Sequence, residues 1–480
     1  MNRQIAWLFG FVVLLFAVLA GFTSWWSVLR ADDLKNQALN RRPLLEQQQV
    51  PRGEILARDG TKLAENRAIG HRQTKRYYRV YPTNELFSHA VGYSFVSSGD
   101  SGLEKSYNDV LSGTDDKQLS SFIQQLGGGA SQGDDLRTNL DPKAQREALA
   151  ALGTQAGSIV ALNPSTGAVR VMASVPSFDP NKVPQELTAL NKGQGGSLLN
   201  RATQAQYPPG STMKVVTSAA ALDTGKYKPD SFINGRDNVV ISGVPLHNYG
   251  NESFGAISLT DALTNSVNTV YGQIGEKLGK ATMLRYMRRF GFQDQPPIDL
   301  PSSQVAPSGV LKPPQPLTAK DNWDVGRVAI GQEPHLFVTP LQMAMVASAV
   351  GNKGRLMEPK LGDKVIAPDG QVRDDIQPQE ESTVMSESAA SDLADMMTNV
   401  VKSGTGTGGA LQGIQVAGKT GTADNPNGGN YAWFIAFAPV KDPKVAIAVV
   451  IEKTQQSQTG GEVAAPIAAR VMRAVLGEGG

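Results

Sequence analysis

Apolar residues form one unbroken stretch near the start of the chain and recur later only in shorter runs. Residues 5–26 carry no charged side chain, and about 20 apolar residues suffice to cross a bilayer. Arg3 precedes this stretch and Asp32-Asp33 follow it. The pattern predicts a transmembrane anchor at 5–29, with a cytoplasmic stub before it and the rest of the chain outside the cytoplasm. The alternative is a cleaved signal peptide, although its apolar core usually spans only about 7–15 residues.

Shorter apolar runs predict strands near both ends of the chain beyond the anchor. Residues 158–162 and 168–173 flank an Asn-Pro-Ser-Thr-Gly turn, which is typical of a β-hairpin. Three later runs have the length and the β-branched or aromatic content of strands: 416–423, 433–438 and 445–452. Any sheet made of these strands must bring together distant parts of the sequence.

Helical patterns fill the region between these strands and also close the chain. They cover 211–223, 260–278, 339–350 and 464–476. A further helix is predicted at 141–152, where Asp141 suits the N-cap and Pro142 the first helical position. Strands at both ends with helices between them favour an α+β fold, in which one antiparallel sheet is flanked by helices.

Changes in composition divide the chain into segments. Residues 30–50 are polar and predict a stalk that leaves the membrane, and the turn-rich residues 51–150 predict a small β-rich domain. Residues 151–480 then form the main domain. Segments rich in glycine, proline or charge predict loops at the surface: 127–129, 301–316 and 366–383.

The charge balance and the absence of cysteine exclude several classes of function. Lys and Arg number 46 against 44 Asp and Glu, so the net charge of +2 gives no reason to expect nucleic acid as a partner. Without cysteine there can be no disulfide, no thiolate catalysis and no cysteine–zinc site. The histidines form no His-x-x-x-His pair, so a zinc site is not expected either: His71, His89, His247 and His335. We expect no metal and no cofactor.

The most informative polar residues open the helix predicted at 211. Ser211 and Lys214 follow Pro208-Pro209-Gly210, and positions i and i+3 share one face of a helix. The Lys214 amine can therefore reach the Ser211 hydroxyl, which gives a nucleophile beside a base. The positive end of the helix dipole favours an alkoxide developing there. The pattern is short, however, and an N-cap serine with a solvated lysine is the ordinary alternative.

Two later motifs favour the catalytic interpretation. Ser266-Val267-Asn268 begins 55 residues after Ser211, and Lys419-Thr420-Gly421-Thr422 begins 153 residues after Ser266. Ser-x-x-Lys, Ser-x-Asn and Lys-Thr-Gly in this order are the motifs of serine enzymes that react with penicillin. Separately, the later motifs could be helix-cap residues and a solvated lysine on an edge strand. The ordered set argues against that.

Further segments carry a resemblance that covers nearly the whole chain: Pro51-Arg52-Gly53-Glu54-Ile55, Gly102-Leu103-Glu104, Leu111-Ser112-Gly113, Pro176-Ser177-Phe178-Asp179-Pro180-Asn181, Asn200-Arg201-Ala202, Thr339-Pro340-Leu341-Gln342 and Gly404-Thr405. With the three motifs, they make the chain similar to class B penicillin-binding proteins, and most of all to the short penicillin-binding protein A type of actinobacteria. The chain departs from the family pattern at Ala57-Arg58-Asp59-Gly60 and Gly331-Gln332-Glu333.

The resemblance implies an architecture and an activity. It implies a single amino-terminal transmembrane helix, a small β-rich pedestal at 51–150 and a penicillin-recognising serine transpeptidase domain at 151–480, held outside the cell membrane. It implies a peptidoglycan D,D-transpeptidase that cross-links D-Ala-D-Ala stem peptides through a serine acyl-enzyme and that β-lactams acylate.

The resemblance also assigns a role to each motif residue. Ser211 is the nucleophile, Lys214 is its base, and Ser266 relays the proton to the leaving D-alanine. Asn268 orients Lys214 and the substrate amide. Lys419 is the second cation which, together with burial, lowers the pKa of Lys214 so that its amine can be neutral.

The third motif is implied to bind the substrate. The resemblance places it on an edge strand, where the substrate adds as a further strand. The hydroxyls of Thr420 and Thr422 then hold the terminal carboxylate, and Gly421 allows close approach to the backbone. The backbone N–H groups of Ser211 and Thr422 form the oxyanion hole.

The expected partners are stem peptides, β-lactams, the membrane, a polytopic peptidoglycan glycosyltransferase and other division or elongation proteins, with no nucleic acid. Other functions on this fold remain open, namely a D,D-carboxypeptidase, a β-lactamase or a non-enzymatic β-lactam sensor or scaffold. A β-lactamase needs neither anchor nor pedestal. A sensor needs a cytoplasmic output domain, and a scaffold need not retain Ser211 and both lysines.

Other motif matches point to unrelated chemistry. Residues 413–420 fit the phosphate-binding P-loop, but a P-loop requires a helix directly after its Lys-Thr. Residues 129–133 fit the nucleophile elbow without a preceding apolar strand, and 404–409 fit the dinucleotide fingerprint without a following helix. Residues 72–79 interleave basic and aromatic side chains, which is more typical of a solvated strand face than of a nucleic-acid site.

Overall fold

A computed structural model describes residues 2–25, 48, 50–70, 75–113, 132–193, 196–312, 315–426, 428–455 and 458–477. The chain divides into two compact units, one of residues 1–51 with 67–78 and the other of residues 52–66 with 79–480. Parts of three predicted segments lie outside the described residues: 26–29 of the anchor, 30–47 and 49 of the stalk, and the glycine-rich loop at 127–129.

The α-helices of the described residues are, in chain order, α1 (Asn2–Ser24), α2 (Ser88–Val91), α3 (Gly102–Ser106), α4 (Asn108–Ser112), α5 (Pro142–Leu152), α6 (Val183–Lys192), α7 (Lys214–Asp223), α8 (Leu259–Thr264), α9 (Asn268–Leu278), α10 (Lys280–Arg289), α11 (Val325–Ala329), α12 (Pro340–Gly351), α13 (Glu387–Ser403) and α14 (Ala464–Leu476). Of these, α1 is long and apolar enough to cross a membrane.

The strands are β1 (Ile55–Leu56), β2 (Lys62–Ile69), β3 (Arg76–Val80), β4 (Ser94–Phe95), β5 (Gly99–Asp100), β6 (Asp135–Thr138), β7 (Gly157–Leu162), β8 (Val169–Val175), β9 (Phe232–Asn234), β10 (Val239–Ile241), β11 (Val244–Leu246), β12 (Ala256–Ser258), β13 (Gly309–Lys312), β14 (Gln315–Pro316), β15 (Leu336–Phe337), β16 (Arg355–Met357), β17 (Gly362–Ile366), β18 (Val372–Asp375), β19 (Glu380–Thr383), β20 (Ala417–Asp424), β21 (Asn430–Ala438) and β22 (Val445–Thr454).

The main sheet has five antiparallel strands in the order β20-β21-β22-β7-β8. Its two faces pack in different clusters, because side chains alternate along a strand. On β22, Ile447 and Val449 pack in one cluster with α5 and α14. Ala448 and Val450 pack in the other, with α7 and α12. The predicted α+β fold, with an antiparallel sheet flanked by helices, is confirmed.

A second sheet joins distant segments. β6 pairs in parallel with β1 on one side and antiparallel with β17 on the other. β17 comes from residues 362–366, far beyond the predicted end of the pedestal at residue 150. Strands that belong to the pedestal in sequence therefore share a sheet with a hairpin, β17–β18, from the predicted transpeptidase domain.

The structure corrects some predictions. The single helix predicted at 260–278 is wrong, because the chain leaves helical geometry at 265–267 between α8 and α9. The loop predicted at 301–316 contains β13, whose Val310 is fully buried. The loop predicted at 366–383 is exposed but contains β18 and β19. β13 and β19 pair with β15 and β16, which lie outside the predicted loops, and β18 forms a hairpin with β17. Proline and charge content do not indicate these pairings.

The structure also tests the unrelated motifs. The residues after Lys419-Thr420 continue strand β20, so the helix that a P-loop requires is absent there. The dinucleotide-like pattern at 404–409 ends in a 3₁₀ turn, Thr407–Gly409, and the next regular element among the described residues is strand β20, where the fingerprint requires an α-helix. Residues 129–131 of the elbow-like pattern and 72–74 of the basic segment lie outside the described residues.

Candidate active site

The first motif lies in a tight turn at the start of α7. Gly210–Met213 form a 3₁₀ turn that runs directly into this helix, and the Lys214 N–H donates to the Ser211 carbonyl oxygen. Residues i and i+3 eclipse each other in 3₁₀ geometry. Ser211 and Lys214 therefore share one face, as the sequence predicts. Within the described residues, the hydrogen bonds of Lys214 Nζ go to Ser266 and Asn268 and none joins it to Ser211 Oγ.

Lys214 is fully buried and its amine is surrounded by acceptors from the second motif. Its Nζ donates to the Ser266 carbonyl oxygen at 2.6 Å, to Asn268 Oδ1 at 2.7 Å and to Ser266 Oγ at 3.2 Å. An ammonium group has three N–H donors, so these three contacts use them all. A neutral amine has only two N–H groups and frees one lone pair, which can then accept a proton from a hydroxyl.

Ser266 lies at the break between α8 and α9. Its φ of 58° is in the left-handed region, which a non-glycine residue adopts at a cost of about 1–3 kcal/mol unless its surroundings compensate. The turn directs both the carbonyl oxygen and the hydroxyl of Ser266 at Lys214. Asn268 begins α9 two residues later, and its side chain contacts the same amine. The helix break that the sequence does not predict thus forms this part of the site.

The third motif supplies a second buried amine. Lys419 is fully buried on β20 and its Nζ donates to Ser266 Oγ at 2.9 Å and to the Thr420 carbonyl oxygen at 3.1 Å. Ser266 Oγ is therefore bridged between the two lysines. β20 is the first strand in the order of the main sheet, as the resemblance implies.

Burial lowers the pKa of both lysines, and repulsion lowers that of Lys214 further. Burial, followed by the charge of Lys419, holds the pKa of Lys214 well below its ordinary value. Burial lowers the pKa of Lys419 to about 7. Both environments favour the uncharged amine, because a low-dielectric interior penalises the ammonium form.

The turn before Ser211 packs tightly against β20. Gly210 has a φ of 52°, and a Cβ on it would lie 2.5 Å from the carbonyl oxygen of Thr422. A Cβ on Gly421 would lie 2.9 Å from the carbonyl oxygen of Pro209. Only glycine allows such an approach at both positions. These contacts place Ser211 beside the strand that carries Thr420, Gly421 and Thr422.

The threonines of the third motif already have polar neighbours. Thr420 Oγ1 is 2.7 Å from Thr405 Oγ1, and Thr422 Oγ1 accepts from the Gly460 N–H at 3.3 Å. Thr405 was part of the resemblance, but its place beside the third motif was not predicted. Nothing in the sequence around Gly460 predicts that its N–H group contacts Thr422.

Two more contacts at the site were missed from the sequence. Trp433 Nε1 donates to the Pro208 carbonyl oxygen at 3.0 Å and supports the turn before the nucleophile. The Asn268 Nδ2 group donates to the His247 carbonyl oxygen at 3.0 Å. Every residue has a backbone carbonyl group, so a sequence motif cannot predict which carbonyl oxygen accepts this second hydrogen bond.

Comparison with known families divides the chain into two matched parts. Residues 157–473 match the family described as the penicillin binding protein transpeptidase domain. Residues 52–136 match the family described as the penicillin binding protein A dimerisation domain. The three motifs lie in the first part, and β1, β2 and β6 lie in or at the edge of the second.

Individual proteins match over nearly the whole chain. The peptidoglycan D,D-transpeptidase PbpA of Mycolicibacterium smegmatis is 35% identical over 94% of both chains. Its counterpart in Mycobacterium tuberculosis is 33% identical, also over 94% of both. The solved structure of penicillin-binding protein A from M. tuberculosis as a ceftriaxone acyl-enzyme has a TM-score of 0.81 at 31% identity, covering 90% of this chain and all of that one. A D,D-transpeptidase domain from Eggerthella lenta has a TM-score of 0.78 at 32% identity, covering 89% of this chain and 98% of that one.

Proposed function

Because this chain belongs to the penicillin-binding protein transpeptidase family, we infer that it cross-links peptidoglycan through an ester on Ser211. It is a peptidoglycan D,D-transpeptidase, an acyl-transferring enzyme of the class that β-lactams acylate. One observation supports the residue roles above all others: Ser266 Oγ lies 3.2 Å from Lys214 Nζ and 2.9 Å from Lys419 Nζ. This arrangement links the base of one motif to the cation of another through a single hydroxyl.

Acylation begins with neutral Lys214 as the base. Its lone pair accepts the Ser211 proton while Ser211 Oγ attacks the carbonyl carbon of the penultimate D-alanine. The new C–O bond forms a tetrahedral intermediate, and the peptide C–N bond then breaks. The leaving D-alanine amine takes a proton from Ser266 Oγ, which is replenished from the amine of Lys214. Protons and bonds balance without any further group.

The substrate lies along β20. The Lys419 ammonium and the hydroxyls of Thr420 and Thr422 hold the terminal carboxylate, and the Thr405 hydroxyl orients that of Thr420. The N–H groups of Ser211 and Thr422 face the developing oxyanion. Each such donor stabilises a transition state by about 2.7–4 kcal/mol. The close contact at Gly210 supports this assignment, because it fixes the nucleophile turn against Thr422.

Release of the ester completes the transfer. An amine from a neighbouring stem peptide attacks the ester carbonyl, a C–N bond forms, and the bond to Ser211 Oγ breaks. The attacking amine gives up a proton to Lys214, which became neutral when D-alanine left, and Lys214 passes this proton to Ser211 Oγ. The product is a cross-linked dimer of stem peptides. A β-lactam opens its ring at the same serine and leaves an ester.

The location follows from α1. This helix fits a single-pass membrane anchor, and the basic Arg3 before it favours an amino terminus in the cytoplasm. The catalytic residues are then extracytoplasmic, where peptidoglycan is cross-linked. The natural partner is a polytopic glycosyltransferase that polymerises the glycan strands, together with other division or elongation proteins.

Labelling with a fluorescent penicillin tests the role of Ser211. The full chain in detergent is expected to form a covalent adduct that Ser211→Ala abolishes while its melting temperature stays close to that of the wild type. Absence of label on the folded wild type would end this assignment. Ser165→Ala is the matched control, because Ser165 is an exposed serine in the β7–β8 turn and should label normally.

A second assay separates transfer to an amine from transfer to water. A D-Ala-D-Ala stem peptide is incubated with an excess of an amine-bearing acceptor stem, and the products are resolved by mass. Cross-linked dimer that disappears in Ser211→Ala supports the transpeptidase. Free D-alanine with no dimer would instead indicate a carboxypeptidase.

A further inference from the structure

The segment between α7 and α8 forms two short pairs of antiparallel strands next to the second motif. They are β9 with β12 and β10 with β11. One loop that connects these strands, residues 247–255, contacts the start of α9, and the other, residues 235–238, contacts the first loop. Nothing in the motif set or in the assigned roles involves these loops.

The contact with α9 is made by two adjacent residues. The His247 carbonyl oxygen accepts from Asn268 Nδ2 at 3.0 Å, and Asn248 Oδ1 accepts from the Thr269 N–H at 3.0 Å. Asn268 Oδ1, the other end of the same amide, accepts from Lys214 Nζ at 2.7 Å. The orientation of the Asn268 side chain, and with it an acceptor for the catalytic amine, depends on where residues 247 and 248 lie.

One carboxylate fixes both of these residues. Asp237 Oδ1 accepts from the Asn248 N–H at 2.7 Å, and Asp237 Oδ2 is 2.9 Å from His247 Nδ1. The hydrogen bond with His247, more than the partial burial that opposes it, holds the pKa of Asp237 below its ordinary value. Asp237 is therefore ionised at neutral pH and accepts on both oxygens.

The loop around Asp237 is itself constrained. The Asp237 N–H donates to Ser253 Oγ at 2.9 Å, and the buried Asn248 side chain donates to the carbonyl oxygens of Gly235 and Glu252 at 3.1 and 2.8 Å. Asn238, next in the chain, has a φ of 58° in the left-handed region. The loop thus holds the carboxylate in one place rather than leaving it free on the surface.

We propose that Asp237 is a positioning residue for acylation, because it holds His247 and Asn248 against α9 and thereby fixes Asn268 beside Lys214. The path runs through four consecutive hydrogen-bonded groups, from the carboxylate to residues 247–248, to the Asn268 amide and to the Lys214 amine. Asp237 touches neither the substrate nor Ser211 in this scheme. The proposal rests on acylation of Ser211 and adds a residue that no motif of the site includes.

The test compares Asp237→Asn and Asp237→Ala with the wild type as full chains in detergent, by the rate of acylation with a fluorescent penicillin. Small displacements of catalytic groups cost up to about a hundredfold in rate, so we expect the limiting acylation rate to fall by about tenfold. The penicillin concentration that gives half this rate should change by less than about twofold, because no substrate contact is removed. Asp237→Glu keeps the carboxylate and should recover part of the rate.

The pH profile gives a readout that general destabilisation would not move. Acylation needs neutral Lys214, so its acid limb follows the pKa of that amine. When Asn268 moves away, its Oδ1 no longer accepts a hydrogen bond from the Lys214 ammonium group. The charged form of Lys214 then loses stabilisation. The pKa of Lys214 falls further and the acid limb moves to lower pH. The charged group facing Lys214, Lys419, is unchanged in these variants.

The control is Asp230→Asn, which removes an exposed carboxylate from the segment just before β9 and should acylate like the wild type. Acylation of both Asp237 variants within about twofold of the wild type would overturn the proposal. So would a slower rate with an unmoved acid limb and a lower melting temperature, which would indicate a structural role only. If the wild type itself does not acylate, the proposed function fails first, and the two failures are thus distinguishable.

Discussion

At the residue scale, two buried lysines share one hydroxyl, and burial favours the uncharged form of each. Lys214 and Lys419 are fully buried, and each makes one of the two contacts to Ser266 Oγ. Burial, and next the charge of Lys419, hold the pKa of Lys214 well below its ordinary value. This direction fits the proposed role of Lys214 as the base, and Lys419, with a pKa of about 7, is protonated part of the time at neutral pH.

Removing the second amine should change both the rate and its pH dependence. In Lys419→Gln, Lys214 loses a repelling charge, its pKa rises, and the acid limb of acylation moves to higher pH. We expect the rate of penicillin acylation to fall by about 10²–10³, comparable to the loss of one transition-state donor. Stopped-flow labelling from pH 5 to 9 measures both effects.

In the same experiment, the acylation rate of the wild type should fall as the pH rises through about 7, because Lys419 then loses its proton. Lys453→Gln removes an exposed lysine near the end of β22 and serves as the control. An acid limb that stays in place, or moves to lower pH, in Lys419→Gln would contradict the assigned coupling between the two amines.

A second buried charge cluster lies within residues 52–136, which match the dimerisation-domain family. Glu104 is fully buried, with Arg52 Nε at 2.7 Å from Oε2 and Arg79 Nε at 2.5 Å from Oε1. Burial acts to raise the pKa of Glu104, but the two arginines outweigh it and hold the pKa below its ordinary value. The stabilisation is therefore present above the unfolded pKa and is lost as pH falls through the folded one.

Neutralising Glu104 should destabilise the fold strongly. Glu104→Gln leaves two arginines without their counter-charge, and breaking a buried ion pair costs about 3–5 kcal/mol. Urea unfolding of residues 51–480 at pH 7 measures the loss. Glu147→Gln is the control, since the exposed pair with Arg470 is worth about 1 kcal/mol or less. A loss for Glu104→Gln no larger than that of the control would contradict the assignment.

At the element scale, the start of the nucleophile helix is more constrained than its end. Gly210 and Gly225 lie near the two ends of α7 with φ of 52° and 66°. A Cβ on Gly210 meets the Thr422 carbonyl oxygen, whereas a Cβ on Gly225 meets nothing within 4 Å. The two glycines therefore share a backbone conformation but differ in packing.

This difference gives a matched pair of substitutions. Gly225→Ala should cost only the positive-φ penalty, about 1 kcal/mol, and leave acylation unchanged. Gly210→Ala should cost more and also separate the nucleophile turn from β20, with a loss of acylation rate of about a hundredfold. Thermal unfolding and penicillin labelling of both variants test this. Equal effects of the two alanines on acylation would contradict the role of close packing at Gly210.

At the scale of the whole molecule, the domain boundary predicted at residue 150 cuts through packed elements. α5 ends at Leu152 and buries Ala144 and Ala148 against the cluster that covers one face of the main sheet. β6 ends at Thr138 and pairs with β17, which lies beyond residue 360. A boundary in the sequence is thus not a boundary in the packing.

A shortened chain tests this. Residues 151–480 lack β6 and most of α5, so an apolar face of the main sheet and the edge of β17 lose their cover. We expect this chain to aggregate, or to melt at least about 10 °C below residues 51–480, which corresponds to about 3–5 kcal/mol. Size-exclusion chromatography and thermal unfolding compare the two. A soluble 151–480 chain with an unchanged melting temperature would show that the domain is independent.

The sequence by itself determined the local elements and the chemistry they carry. Apolar runs together with cap and turn residues predicted α5, α7, α12, α14 and the five strands of the main sheet to within a few residues, because these signals are local properties of each segment. The ordered motifs identified the residue types of the site, and the family implied their roles.

Only the tertiary structure decided how these residues meet. It interrupted the predicted helix at 265–267 and placed Ser266 between two lysines that are 205 positions apart. It also gave Lys214 its acceptors on Ser266 and Asn268. It paired β17 with β6 and placed Asp237 where it contacts residues 247 and 248, beside Asn268. These outcomes depend on which distant surfaces pack and on which buried polar groups must be satisfied, and neither is encoded in the spacing of neighbouring residues.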